Sequence, residues 1–311
     1  MTKVYVFILE RIQCLIVVYA RHYKSVEIEV VTGDLGIKQL PPFFGQVESI
    51  FLHNGKLMVI GRSRFKMDET IECHQLDNGT WKFHSSLNKP RIGHSAIATP
   101  TATFVFGGDL KGKTYEYLPK DSNTWLMGKT KIPRANFIID CAIAAKSGQE
   151  VWLIQSFKKI LSFNINDHTF HELPCQLSDI DTKCAFIPNS NKIMITGSGS
   201  FSQIFDPEEK SVTLASPLNT KRYGYGMGII TINGEDKLAV VCGIDKYEYD
   251  DLDSVELYNA EKKEWETTDI KLKEQKHSFA FLTIRLYDIV RELNLFVNNK
   301  DCCRNGFVFF M

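Results

Sequence analysis

The chain has 311 residues, of which 37 are basic and 37 acidic, so it carries no net field at neutral pH. Neither nucleic acid nor an anionic membrane surface is therefore an expected partner. Aromatic residues make up 12% of the sequence, which suits a sheet-rich core, and no Pro-rich, Gly-rich or low-complexity tract marks a linker to a second domain.

Residues 1–24 hold two apolar runs, 4–9 and 14–20, with Glu10, Arg11 and Gln13 between them. Neither run approaches the ~18 apolar residues of a membrane span, so no integral span is expected. Two readings stand for this segment. It is an irregular N-terminal extension, or it is a short signal peptide with Lys3 and Arg11 ahead of an apolar core at 12–18 and cleavage after Ala20. Residues 25–31 then alternate polar and apolar side chains as a strand does, and residues 33–38 read as a turn into another strand.

From residue 56 onward the chain repeats itself. A turn-rich cluster precedes Trp81, Trp125, Phe170, Val212 and Trp265 in turn, at separations of 44, 45, 42 and 53 residues. The best-formed unit opens with Arg91-Ile92-Gly93-His94-Ser95-Ala96 and continues through Phe106-Gly107-Gly108-Asp109 and Tyr115-Glu116-Tyr117. It closes on Asp121-Ser122-Asn123-Thr124-Trp125. Four short strands per unit are expected. Paired glycines allow the positive φ of a sharp exit from a crowded sheet, and the Asp/Ser/Asn cluster favours a hairpin turn before the indole. Asn78-Gly79 is a strong type I′ turn signal in the first unit.

Self-similarity at ~40–50 residues with several strands per unit is the signature of a β-propeller. Five units are visible, and a sixth starts at Lys276-His277-Ser278 without its remaining strands. Residues 25–38 supply what is missing, so the ring is expected to close by sharing its last blade between the two ends, which removes exposed sheet edges. The expected fold is all-β, a six-bladed propeller over residues 25–284, followed by a tail at 285–311 that keeps no register. Residues 25–284 number 260, about 43 per blade.

The Arg91-x-x-His94-Ser95-Ala96 run, the Phe106-Gly107-Gly108 triplet and the spacing of Tyr117 to Trp125 resemble the kelch repeat family. The resemblance covers most of residues 45–284, with one complete copy; the signatures of WD40 blades are absent. It implies a protein-interaction scaffold that binds through loops on one face, and it makes Gly107, Gly108 and Trp125 structural. The BTB and BACK segments that precede many kelch propellers do not fit into the first ~25 residues.

No nucleophile elbow, metal-binding His pair or phosphate loop occurs, so no enzyme, cofactor or metal is expected. His94 and His277 occupy matching repeat positions. The eight cysteines form no Cys-x-x-Cys pair; Cys141 and Cys242 read as small buried hydrophobes, and Cys175 and Cys184 as a bridge if the protein is exported. The compartment, cytoplasmic or secreted, stays open.

Two partner-binding surfaces are expected. Arg91, Arg134 and Arg222 each precede the inner strand of a blade, with Tyr223 beside them, which would gather guanidinium forks at one end of the channel to meet carboxylates or phosphates. The competing reading is that these arginines cap neighbouring loops. The second surface is the insertion at 244–253, where Tyr247 and Tyr249 among carboxylates offer aromatic anchors to a basic partner. The expected function is a monomeric module that binds a protein or peptide; the alternative is a carbohydrate-binding or carbohydrate-active propeller of the oxidase or mutarotase class.

Overall fold

Runs of β-branched and aromatic residues, cut every few positions by Asn-Gly or Asp-rich turns, favour short antiparallel hairpins over any helix. The computed structural model describes residues 13–22, 25–32, 36–63, 72–109, 113–133, 139–155, 159–177, 182–197, 201–276 and 280–285. They are arranged as an all-β propeller, with no helix among them.

The described residues start with β1 (Gln13–His22), β2 (Ser25–Thr32) and β3 (Gly36–Phe43), followed by a four-stranded sheet of β4 (Gly45–His53), β5 (Lys56–Ser63), β6 (Glu72–Asp77) and β7 (Thr80–Ser86). The next sheet is β8 (Ser95–Ala98), β9 (Ala102–Phe106), β10 (Tyr115–Pro119) and β11 (Leu126–Met127). Two more follow in the same order. They are β12 (Ile139–Ala144), β13 (Glu150–Gln155), β14 (Lys159–Asn164), β15 (Phe170–Gln176), and β16 (Lys183–Phe186), β17 (Ile193–Thr196), β18 (Ser202–Asp206), β19 (Ser211–Ala215).

The last contiguous stretch contains β20 (Arg222–Tyr223), β21 (Gly226–Ile232), β22 (Glu235–Val241), β23 (Ile244–Asp245), β24 (Leu252–Asn259) and β25 (Glu264–Lys276). Here β21, β22, β24 and β25 form the sheet, while β20 and β23 pair as a two-stranded ribbon. Finally β26 (Ala280–Arg285) pairs antiparallel with β1, giving a sheet ordered β26-β1-β2-β3 from both ends of the chain. The first strands of successive sheets touch in sequence, β4 to β8 to β12 to β16 to β21, and β26 touches both β21 and β4.

Residues 13–22 are therefore not an irregular extension. They form a strand held on both sides, by β2 and by β26. Leu15 and Ile16 are fully buried, and burial of such side chains contributes about 1.5–3 kcal/mol each. Ala20 lies inside β1, opposite Val26, so cleavage after Ala20 would separate most of that strand from the sheet. The proposed tail from 286 onward lies outside the described residues, as does His277.

The core sits between sheets rather than within them. Phe51, Met58 and Ile60 pack on Val105, Leu118 and Trp125 of the next sheet; Phe104, Phe106 and Tyr115 pack on Leu161 and Phe163 of the one after. Leu15 and Val31 likewise pack against Ile230, Ala239 and Val241. Each sheet thus depends on its neighbours for burial, as the period in the sequence required. The marker residues fall in register: Trp81, Phe170, Val212 and Trp265 pair with Leu76, Phe163, Phe205 and Tyr258 of the adjoining strand. Gly108 has φ +73°, and a Cβ there would meet the Ile92 carbonyl oxygen and the His94 Cβ at 3.0 Å, which explains the second glycine of the pair.

Candidate functional site

Antiparallel order decides which loops share a face. In each contiguous sheet the first strand begins, and the second strand ends, at the same end of the channel. Loops entering a sheet and loops joining its second and third strands therefore lie together. Hydrogen bonds tie them: Ile92 N–H donates to the Gly108 carbonyl (2.8 Å), and Lys246 N–H to the Lys221 carbonyl (2.9 Å). The β20–β23 ribbon is a further tie of this kind.

The two faces differ in kind. On one, Asn54-Gly55, Asn78-Gly79 and Asn233-Gly234 are two-residue turns with both residues at positive φ, which hold neighbouring strands tightly. The other connections on that face span three to six residues, whereas on the opposite face eight to eleven residues separate β5 from β6, β7 from β8, β9 from β10, β11 from β12, and β22 from β24, with shorter links of three to six residues at β13–β14, β15–β16 and β17–β18.

The same face collects exposed apolar side chains. Phe44 just before β4, Ile92 before β8, Phe201 before β18, and Tyr247 and Tyr249 between β23 and β24 are each 53% to 73% exposed. The other exposed large hydrophobics, Phe83, Leu126, Met127 and Leu214, lie on the outermost strands of their sheets. The expected anchors Tyr247 and Tyr249 are thus placed outward, on a loop shaped by Asp245, whose carboxylate accepts from the Tyr247 and Glu248 N–H groups. These bonds hold the Asp245 carboxyl below its usual range. The Lys221 ammonium lies 5.4 Å from the Tyr247 ring centroid and donates to its hydroxyl at 2.8 Å. Ile92, Phe44 and Phe201 had no signal in the sequence, because a single apolar residue in a loop has no period.

The arginines are placed otherwise. Arg91 and Arg222 are fully buried, so their guanidiniums are not offered to a partner; the loop-capping reading holds for both. Arg91 Nη2 lies 3.0 Å from Glu116 Oε1, and Nη1 donates to the carbonyls of Gly107 and Thr114. Arg222 repeats this with Glu256, Cys242 and Ser254. In both units the carboxylate also accepts two backbone N–H groups of the incoming loop, Asn88 and Lys89 or Asn219 and Thr220. The Asn88 and Asn219 amides donate onward to the carbonyls of Trp125 and Trp265. One polar latch, used twice, fixes where the entering loop sits. Burial lowers the Arg91 pKa, opposed by Glu116 and Asp109. Tyr223 is half-buried in the ribbon, and Arg134 lies outside the described residues.

Between the first strands lies a cavity of about 370 Å³, within the ~300–1,000 Å³ range of small-molecule pockets. Its charged and polar lining is Glu48 and Ser49 in the middle of β4, together with His94, Ser95, Asp140 and Lys183 at the starts of β8, β12 and β16, toward the long-loop face; Ile50, Ile143, Phe186 and Ile229 are among the apolar remainder. His94 Nε2 and the Ser49 hydroxyl share a 2.9 Å hydrogen bond between β4 and the residue entering β8. Burial pushes the His94 pKa down to about 3, the nearby Arg91 charge adding to the effect.

The cysteines correct the expectation. Cys141 is not a free thiol and Cys184 does not pair with Cys175: Cys141 and Cys184 form a disulfide, with Cα atoms 6.3 Å apart, while Cys175 is free. The ring brings β12 and β16 side by side, a contact that spacing along the chain does not reveal. A loop of this length, 43 residues apart in sequence, corresponds to about 4 kcal/mol of denatured-state constraint.

Among the described residues, no group of His, Cys, Asp and Glu could hold a metal ion, and no helix is long and apolar enough to cross a membrane. Fold and site together define the class: a β-propeller whose longest loops gather on one face, around a channel mouth, with shorter turns on the other. Compared with models of known protein families and with curated protein sequences, the chain matches none.

Proposed function

We propose that the protein is a six-bladed, kelch-type propeller that acts as a protein-interaction module, binding a basic peptide or protein segment on its long-loop face. The six-blade count is supported by the contacts of β26 with both β21 and β4, and the kelch reading by the twice-used Arg–Glu latch beside the glycine turns. The observation that carries the function is the segregation of Phe44, Ile92, Phe201, Tyr247 and Tyr249 to one face while shorter turns close the other. A propeller displays such loops from a rigid frame, so contacts form with little ordering cost. Aromatic anchors of this kind dominate interface energetics, and the exposed carboxylates Glu248 and Asp250 flanking Tyr249 favour a cationic segment.

The test is calorimetric titration of a partner recovered from the native source. Tyr247→Ala with Tyr249→Ala is expected to weaken binding at least tenfold, and Ile92→Ser to weaken it further. Asn78→Ser on the opposite face is expected to leave it unchanged. Equal affinity in all of them contradicts the reading.

A further inference from the structure

We propose that the Cys141–Cys184 disulfide is a reducible lock on the channel, opened by small thiols that enter the cavity, and that its redox state sets how firmly β12 and β16 are held together at the channel wall. Both cysteines line the cavity itself, part of whose polar lining lies toward the long-loop face. They are buried but keep a little exposed surface, 6% and 5%, whereas Cys73 and Cys242 have none, and Cys175, though more exposed, does not line the cavity.

The bridge is not the only link between the two sheets it joins. The two sheets it joins share a continuous apolar cluster, in which Trp152, Ile154 and Leu173 meet Ile193, Ile195 and Phe205. Cys141 and Cys184 belong to that cluster, and after reduction their thiols still occupy it beside these side chains, so the bridge is lost while the apolar contact between the sheets remains. By contrast Ser49 and His94, which join β4 to the start of β8 in the same wall, do so by a hydrogen bond that no thiol can break.

The chemistry is thiol–disulfide exchange with a low-molecular-weight thiol as reductant. A thiolate attacks one sulfur of the bridge, forming a mixed disulfide as the Cys141–Cys184 bond breaks and the other cysteine leaves as thiolate. A second thiol then attacks the mixed disulfide, releasing the second cysteine and an oxidised small disulfide. The protons of the two reductant thiols end on Cys141 and Cys184.

The experiment is graded dithiothreitol treatment of the folded full chain, with maleimide labelling resolved by peptide mass and circular dichroism read in parallel. Labelling of Cys141 and Cys184 is expected to appear together at low millimolar reductant, with the native spectrum retained and amide exchange in β12 and β16 at least tenfold faster. Cys141→Ser with Cys184→Ser is expected to show that faster exchange without any reductant. Labelling that appears only once the spectrum is lost overturns the proposal, as does unchanged exchange in the reduced wild-type protein, which needs no variant to fold.

Discussion

Arg91 and Glu116 form an ion pair from which water is excluded on both sides, with 3.0 Å between Nη2 and Oε1. The pair fastens the loop carrying Ile92 to the third strand of its own sheet, and Arg222 with Glu256 does the same for the loop that starts at Asn219. Removing one partner leaves an uncompensated buried charge. Arg91→Met is expected to cost about 3–5 kcal/mol, read as a lowered urea midpoint with unchanged slope. A loss below 1 kcal/mol would show that the latch is not held as described.

Acid sensitivity follows from His94. Its folded pKa of about 3 lies below the ordinary value of 6.5, because burial disfavours the cation. The unfolded chain then binds more protons between those two values, so stability is full above pH 6.5 and falls as pH drops toward 3. His53 and His74 are also lowered, burial being the first cause in each, and act in the same direction. For His94 alone the loss near pH 5 is about 2 kcal/mol. Thermal melts of wild type and His94→Gln at pH 7.5 and 5 check it: the drop on acidification is expected to shrink in the variant.

Glycines separate by what surrounds them. Gly79 and Gly108 have nearly the same positive φ, but a Cβ at Gly79 meets nothing within 4 Å whereas one at Gly108 meets backbone at 3.0 Å. Gly79→Ala is expected to cost about 1 kcal/mol, the strain of φ alone, and Gly108→Ala about 2–3 kcal/mol. Equal costs in chemical denaturation would contradict the close approach of the Ile92 loop.

The N-terminal strand is expected to matter as a core strand does. Ile16→Ala should cost about 2–5 kcal/mol, since Ile16 is fully buried and β1 is the second strand of the sheet that also takes in β26. A cost under 0.5 kcal/mol in urea unfolding would mean that β1 adds little to the ring.

What the sequence reveals depends on whether a feature recurs. Trp81 and Trp265, the glycine pair at 107–108 and the turn at Asn78-Gly79 repeat or carry steric signals, and each occupies the strand or turn expected of it, while Trp125 sits just ahead of β11. The arginines recur too, but Arg91 finds Glu116 25 positions away and Arg222 finds Glu256 34 away, so position alone does not tell a buried latch from an open anion site. The segment at 12–18 is ambiguous for a physical reason: an apolar strand such as β1, with Leu15 and Ile16 buried, and the core of a leader peptide have the same composition. Cys141 and Cys184 meet only because neighbouring units touch around the channel, and Phe44, Ile92 and Phe201 share a face only through the antiparallel order.

Cross-linking decides which face of the ring meets a partner. A photoreactive residue placed at Ile92 or Tyr249 on the long-loop face, or at Asn78 or Asp167 on the tight-turned face, would be irradiated in extracts of the native source. Adducts with one protein from the first two positions and none from the second pair are the predicted result. Adducts from Asn78 and Asp167 with none from Ile92 and Tyr249 would place the interaction surface on the wrong face of the ring and contradict the account.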